Sequence, residues 1–128
     1  MLRSARAFVF LWTLALPAAA QIPLPTEAPP VDGVTLFKNQ CGTCHVLSAA
    51  EPPRQGPPLG GVVGRKAGSV PGFKYSAGFA QADWVWDPPH LDTWLTNPQA
   101  MIKGAVMLYK QSDPAKRKLI IDWLQEQK

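Results

Sequence analysis

The feature that most restricts the fold of this 128-residue chain is a stretch dense in proline and glycine. Residues 52–61 contain four prolines and three glycines, so neither a long helix nor a long strand can pass through them. A loop as long as residues 46–69 is uncommon in a compact domain unless something other than secondary structure organises it. A buried prosthetic group would do so, because apolar loop residues can pack on it instead of on each other.

The N-terminus reads as a signal for export, followed by one domain. Residues 1–20 combine Arg3 and Arg6 with an apolar run and a small-residue cleavage site, Pro17-Ala18-Ala19-Ala20. The apolar run is shorter than the roughly 20 residues that span a bilayer. We therefore expect cleavage and a periplasmic protein without a later membrane span, the alternative being retention as an uncleaved anchor.

Residues 21–32 are rich in proline and lack periodicity, which predicts an extended N-terminal segment before a domain at residues 33–128. Loss of Arg3 and Arg6 leaves 11 basic residues against 9 acidic ones, a net charge of +2. A charge this small gives no support to nucleic-acid binding.

Hydrophobic spacing in this domain predicts an all-α fold with about four short helices and much loop. One helix carries Val34, Phe37 and Cys41 on one face, and residues 90–96 form another candidate. The clearest helix is the last, capped by Ser112 or Asp113 and followed by Pro114. Its predicted apolar stripe consists of Leu119, Ile120, Trp123 and Leu124.

Cys41-Gly42-Thr43-Cys44-His45 fits the Cys-x-x-Cys-His pattern of covalent haem attachment. Two thiols separated by two residues can add to the two vinyl groups of one porphyrin, and the adjacent imidazole of His45 can bind the iron. The motif therefore predicts one haem c, bound through Cys41 and Cys44.

Three other readings of this motif are weaker. A thioredoxin-like redox pair begins a helix in a βαβ unit, whereas this motif follows a helix and precedes a loop. A zinc site needs about four ligands, and only His90 and the carboxylates remain. A disulfide explains neither His45 nor the loops.

The second axial ligand could come from Met107, Met101 or His90. A thioether suits electron transfer because it raises the reduction potential. Met107 is favoured over Met101 because it follows Gly104 in an irregular segment, although core filling is the usual role of methionine. His90, beside Pro89, is more typical of an exposed residue at a helix start.

Further landmarks follow the motif in a recognisable order and spacing. They are Gly56-Pro57, Gly64-Arg65-Lys66, Pro71-Gly72-Phe73-Lys74-Tyr75, and Asn97-Pro98 with Met107 nine residues later. With these landmarks, residues 33–124 resemble class I cytochromes c of the mitochondrial and bacterial periplasmic kind.

The resemblance implies roles for individual residues. It implies that Met107 is the second ligand, that the Pro57 carbonyl orients His45, and that Arg65, Tyr75 and Trp86 bind a haem propionate. It also implies that Phe73, Trp86, Trp94 and Met101 bury the haem. Finally, it implies that Gly33 and Phe37 pack against Ile121 and Leu124 of the last helix.

The chain departs from the family in its ligand loop, which reads Lys103-Gly104-Ala105-Val106-Met107 where the family has Pro-Gly-Thr-Lys-Met. The missing threonine hydroxyl at Ala105 suggests a looser loop from which Met107 is more easily displaced. Gln40, Gln99 and Val106 stand where many members have lysine, so steering toward acidic partners should be weaker.

The function that the resemblance implies is one-electron transfer between respiratory or photosynthetic redox partners by a monomeric carrier that is not an enzyme. One alternative is a dedicated electron-acceptor subunit of a periplasmic dehydrogenase. Another is a gas sensor or peroxidase with an open iron position, which requires that Met107 is not a ligand.

Overall fold

A computed structural model describes residues 30–128. The predicted signal segment and residues 21–29 of the predicted extension lie outside these residues. The described chain forms α1 (Gly33–Leu36), continued by a π-helical turn (Phe37–Cys41), then a 3-10 turn (Ala77–Gln81), α2 (Pro88–Thr96), α3 (Pro98–Met101) and α4 (Pro114–Glu126). Over residues 30–128 the only β pairing is an isolated bridge between Lys66 and Val85, so the all-α prediction is confirmed.

Aspartates begin three of the helices. The side chain of Asp32 accepts a hydrogen bond from Thr35 N at 2.8 Å, and that of Asp87 accepts one from His90 N at the same distance. Asp113 does the same for Ala115 N at 2.9 Å, which settles the choice of cap for α4. Each carboxylate satisfies an amide that has no partner within its helix.

The contact between α1 and α4 is close because α1 begins with glycine. A Cβ on Gly33 would clash with the Leu119 carbonyl oxygen and with Cβ of Trp123. The rings of Phe37 and Trp123 pack with centroids 4.5 Å apart. Helix α1 therefore packs on α4, as the resemblance implied, but these contacts are made by Leu119 and Trp123, while the expected partners Ile121 and Leu124 lie in the same buried core.

The apolar stripe predicted for α4 is wrong at one position. Leu119 is 37% exposed, whereas Ile120, Ile121 and Leu124 are buried. The reason is that α4 packs against both α1 and α2, so its buried face includes adjacent positions of the helix.

Residues 46–76, which we call the loop wall, contain no helix. Backbone hydrogen bonds from Leu59 N to Val46 O and from Gly60 N to Leu47 O, both 2.9 Å, fold the wall back on itself. Another, from Gly61 N to Gln127 O at 2.7 Å, joins it to the end of α4. No helix in the described part of the chain is long and apolar enough to cross a membrane.

Candidate functional site

A cavity of about 360 Å³ lies between the loop wall and the helices. Its volume falls within the range of roughly 300–1,000 Å³ that is usual for cofactor sites. Most of the residues around it are apolar or aromatic, including Leu59, Val62, Phe73, Phe79, Trp86, Leu91, Trp94, Leu95, Ile120 and Leu124. The cavity is therefore suited to an apolar group.

The cysteine motif reaches the cavity through the π-helical turn after α1. In this wide turn Gly42 N donates to Phe37 O at 2.7 Å, and the next turn is closed by His45 N donating to Cys41 O at 2.9 Å. Cys41 and Cys44 both line the cavity, and neither forms a disulfide within the described chain. Burial, with a smaller effect of Cys44, raises the pKa of the Cys41 thiol to about 11, so this sulfur is uncharged near neutral pH.

His45 is held by the loop that follows it. Its Nδ1 lies 2.8 Å from the carbonyl oxygen of Pro57, which can accept a hydrogen bond from that nitrogen. Gly56 is required beside the ring, because a Cβ there would clash with Cε1 and Nδ1 of His45. Burial lowers the pKa of His45, against a smaller opposite effect of the Pro57 bond, and so favours the neutral imidazole. Nε2 then keeps its lone pair for a metal.

A short antiparallel pairing places Arg65 beside Trp86. Trp86 N donates to Arg65 O, and Gly64 N donates to Trp86 O, both at 2.8 Å. The Arg65 guanidinium donates to Pro58 O at 2.7 Å and to Gly60 O at 3.2 Å, and burial lowers its pKa.

Tyr75 completes this group, and its hydroxyl accepts a hydrogen bond from Val70 N at 3.2 Å. Arg65, Tyr75 and Trp86 all line the cavity. The structure thus brings the three predicted propionate-binding residues to one site.

The three candidates for the second ligand lie in different surroundings. Met107 lines the cavity together with His45, Cys41 and Cys44. Met101 is partly buried against the core but does not line the cavity, so its predicted role as a pocket residue is wrong. Met101 is the last residue of α3 and is followed by Ile102 and the turn at Lys103-Gly104, whereas Met107 reaches the cavity from beyond that turn.

His90 lies outside the cavity, at the start of α2. Its Nδ1 is 2.7 Å from Asp87 Oδ1, and its ring stacks on Trp84 at an interplanar angle of 2°.

Sequence reasoning missed a hydrogen-bonded cluster beside the cavity. The Tyr109 hydroxyl donates to Gln40 Oε1, and Gln111 Nε2 donates both to Gln40 Oε1 at 3.1 Å and to the Tyr109 oxygen at 3.2 Å. Gln40 is 69 residues from Tyr109 and 71 from Gln111, and no pattern in the sequence links residues so far apart.

These observations define the class of the protein before any relative is considered. An all-α fold has its Cys-x-x-Cys-His motif on an apolar cavity, with one imidazole nitrogen fixed by a backbone carbonyl. Two cysteines free of any disulfide in the described chain and a neutral imidazole, all on this cavity, suit thioether bonds and iron ligation, so the residues fit a covalently bound haem.

Comparison with known proteins identifies the family. The family model described as cytochrome c matches residues 30–128, and the chain belongs to the cytochrome c family. The cytochrome c2 of Rhodomicrobium vannielii is 42% identical over 80 residues, which span 62% of this chain and 63% of that protein.

Two relatives match over a larger share of their own length. The cytochrome c of Sesamum indicum is 34% identical over 104 residues, which span 78% of this chain and 94% of that protein. That of Arabidopsis thaliana is 38% identical over 96 residues, spanning 74% and 86% of the two chains.

Membership of this family establishes the cofactor and the broad function. The chain carries covalent haem c, attached through cysteine, and Cys41 and Cys44 are its two cysteines. It is a monohaem electron carrier and not an enzyme, and its partners are redox proteins.

Proposed function

We propose that the chain is a periplasmic carrier that transfers one electron at a time between respiratory or photosynthetic partners, with His45 and Met107 as axial ligands. The observation that carries this proposal is that both residues line the same cavity as Cys41 and Cys44. When bound, the haem supplies the one-electron redox chemistry.

The residues around His45 and Met107 fix the ligands and keep water away from the cavity. The Pro57 carbonyl holds the imidazole of His45 through Nδ1, and Gly56 leaves room for the ring. Met107 contributes a thioether sulfur, a ligand that raises the reduction potential. Trp86, Trp94 and Leu95 are buried and enclose the cavity with apolar surface.

Arg65, Tyr75 and Trp86 are proposed to bind a haem propionate. Of the five N–H donors of a guanidinium, Arg65 uses some on the carbonyls of Pro58 and Gly60 and has others for a carboxylate. Tyr75 accepts a hydrogen bond through its oxygen and still has a hydroxyl proton to donate.

The lining of the cavity argues against a peroxidase or a gas sensor. Among the described residues that line it there is no carboxylate and no histidine other than His45. A peroxidase needs a side chain that moves protons near the iron, and carboxylates and histidines are the usual choices. Ligation by Met107 would also close the position that a gas requires.

We further propose that residues 1–20 are a cleaved signal peptide and residues 21–32 an extension before the domain at residues 33–128. The short apolar run, the basic start and the small residues at 17–20 support this proposal. At the cavity, Val106 and Leu108 flank Met107 and are 80% and 75% exposed, which supports docking of a partner at this face of a monomeric protein.

The test is an optical spectrum of the protein purified from the periplasm, with its mass measured to show one haem and an N-terminus at Gln21. We expect the wild-type protein to show the weak band at about 700 nm that marks methionine bound to ferric haem, and we expect Met107→Leu to lose this band. Met101→Leu is the matched control, because Met101 does not line the cavity, and should keep the band. A wild-type protein that lacks the band and binds carbon monoxide when reduced would refute the proposal.

A further inference from the structure

The cluster of Gln40, Tyr109 and Gln111 joins two segments of the chain that both line the cavity. Gln40 lies in the π-helical turn, immediately before Cys41, and Tyr109 lies two residues after Met107. Both residues line the cavity and are partly buried. Their hydrogen bonds, shared with Gln111, therefore connect the cysteine motif directly to the segment that carries Met107.

Gln111 anchors the cluster to two more helices. Its backbone N–H donates to Leu95 O near the end of α2 at 2.8 Å. Its side-chain oxygen accepts from the backbone N–H of Asp113, the cap of α4, at 3.1 Å. The amide group that reaches Gln40 and Tyr109 is thus fixed at its other end, so the cluster is connected to rigid elements on each side.

Before Met107, two long hydrogen bonds involve side chains from other parts of the chain, and Ala105 is buried and donates to Ile102 O at 3.1 Å. Val106 N donates to Ser76 Oγ at 3.2 Å, and Gln99 Nε2 donates to Ala105 O at 3.4 Å. Val106 and Leu108 are mostly exposed, so the neighbours of Met107 in sequence add little packing. Beyond Met107, the first side chain that ties the segment to the body of the protein is Tyr109.

We propose that Gln40, Tyr109 and Gln111 form a clamp that positions Met107 for ligation, with Tyr109 as the positioning residue. This inference rests on the proposed function, because it requires Met107 to be the ligand. The chain lacks the family's threonine hydroxyl at Ala105, on the N-terminal side of Met107. The clamp offsets this loss by holding the segment on the C-terminal side of Met107. The clamp consists of hydrogen bonds between uncharged side chains, one phenol and two amides.

The experiment titrates the oxidised holoprotein with imidazole, which competes with Met107 for the iron. Displacement is measured by the loss of the band at about 700 nm. Tyr109→Phe removes the hydroxyl but keeps the ring. We expect the apparent binding constant of imidazole to rise about 3- to 10-fold, the range for loss of one hydrogen bond. Thr93→Val is the matched control, because it removes a single hydroxyl hydrogen bond, to Pro89 O, on the exposed side of α2.

A second variant, Gln40→Leu, removes the shared acceptor from the other side and should raise the imidazole binding constant similarly. The double variant with Tyr109→Phe should add little further, because the residues act as one unit. Amide exchange at residues 106–111 should also accelerate in both single variants.

An unchanged imidazole titration in Tyr109→Phe and in Gln40→Leu, with the band present in wild type, would overturn the clamp alone. Absence of the band from the wild-type protein would overturn both the clamp and the ligation by Met107. The two failures are therefore distinguishable.

Discussion

Two regions of this molecule are held together in different ways. In the helical frame of α1, α2 and α4, protein packs on protein: Phe37 meets Trp123, and Ile120 is fully buried. The loop wall, residues 46–76, is folded by scattered backbone hydrogen bonds and turns the side chains of Leu59 and Phe73 toward the cavity. The frame thus has helix-to-helix contacts of its own beside the cavity, whereas the wall is the region for which we propose the haem as the main packing partner.

The largest effect should follow from removing the haem. Cys41→Ala/Cys44→Ala abolishes covalent attachment, and the apolar lining of the wall then loses its packing partner. We expect global stability to fall by more than about 4 kcal/mol, the range reserved for severe core defects. Amide hydrogen exchange should show no protection in residues 46–76, with any protection that remains confined to α1 and α4.

The single variant Cys44→Ala is the control for this prediction, because Cys41 can still hold the haem by one bond. Its exchange pattern should stay close to that of the wild-type protein. If the double variant protected the wall as well as it protects α1 and α4, the contrast between the two regions would be wrong.

The same contrast explains how much of the fold could be predicted from the sequence. Helical spacing and an aspartate followed by proline identified α4, because such signals are local. Pro88 and Pro89 stand where a helix can begin, and α2 includes both of them together with the predicted residues 90–96. The path of the loop wall could not be derived from the spacing of its own residues, because the partner we propose for it, the haem, is not an amino acid.

The next largest effect is the loss of stability caused by a glycine-to-alanine substitution, which we compare between the frame and the loop wall. Gly33→Ala places a methyl group against the backbone of Leu119, which cannot move without shifting α4, and should cost about 3 kcal/mol. Gly72→Ala lies in the wall at φ +72° with no atom within 4 Å of the new Cβ, so only the left-handed backbone opposes it, at about 1 kcal/mol.

Thermal or denaturant unfolding of the two holoprotein variants measures this difference. A larger cost for Gly72→Ala than for Gly33→Ala would mean that contact between α1 and α4 does not dominate the frame. Equal costs would mean that α1 and α4 can move apart far enough to relieve most of the clash at Gly33.

The site shows the same limit on prediction. The motif gave Cys41, Cys44 and His45 through adjacency in the chain, and family spacing placed Met107 ahead of Met101. The clamp was missed because Gln40, Tyr109 and Gln111 are uncharged, common residues that only the folded chain brings together. Hydrogen bonds across about 70 residues leave no local pattern to read.

The smallest effect is the loss of stability in acid that comes from the start of α2. This helix follows residues 84–86, which pair with the loop wall at residues 64–67. The pKa of Asp87 lies below its usual value, chiefly because the backbone N–H and then the ring of His90 donate to its carboxylate. The pKa of Asp87 is lower in the folded than in the unfolded chain. At pH values between these two pKa values the unfolded chain therefore binds more protons. The stabilisation is thus fully present above the unfolded value of about 3.9 and is lost as the pH falls through the folded pKa.

Asp87→Asn keeps a good helix cap and removes the titration. The variant should unfold at nearly the wild-type temperature at neutral pH and lose less stability below about pH 4, as measured by melting the holoprotein across the acid range. Asp83→Asn, an exposed residue outside the helices, should follow the wild-type curve.

Asp32 caps α1 in the same way and also has a lowered pKa, so Asp32→Asn should likewise lose less stability in the acid part of the melting curve, the acid limb. An acid limb of Asp87→Asn that superimposes on that of the wild type would show that the cap of α2 does not sense pH, leaving acid sensitivity to other groups of the frame.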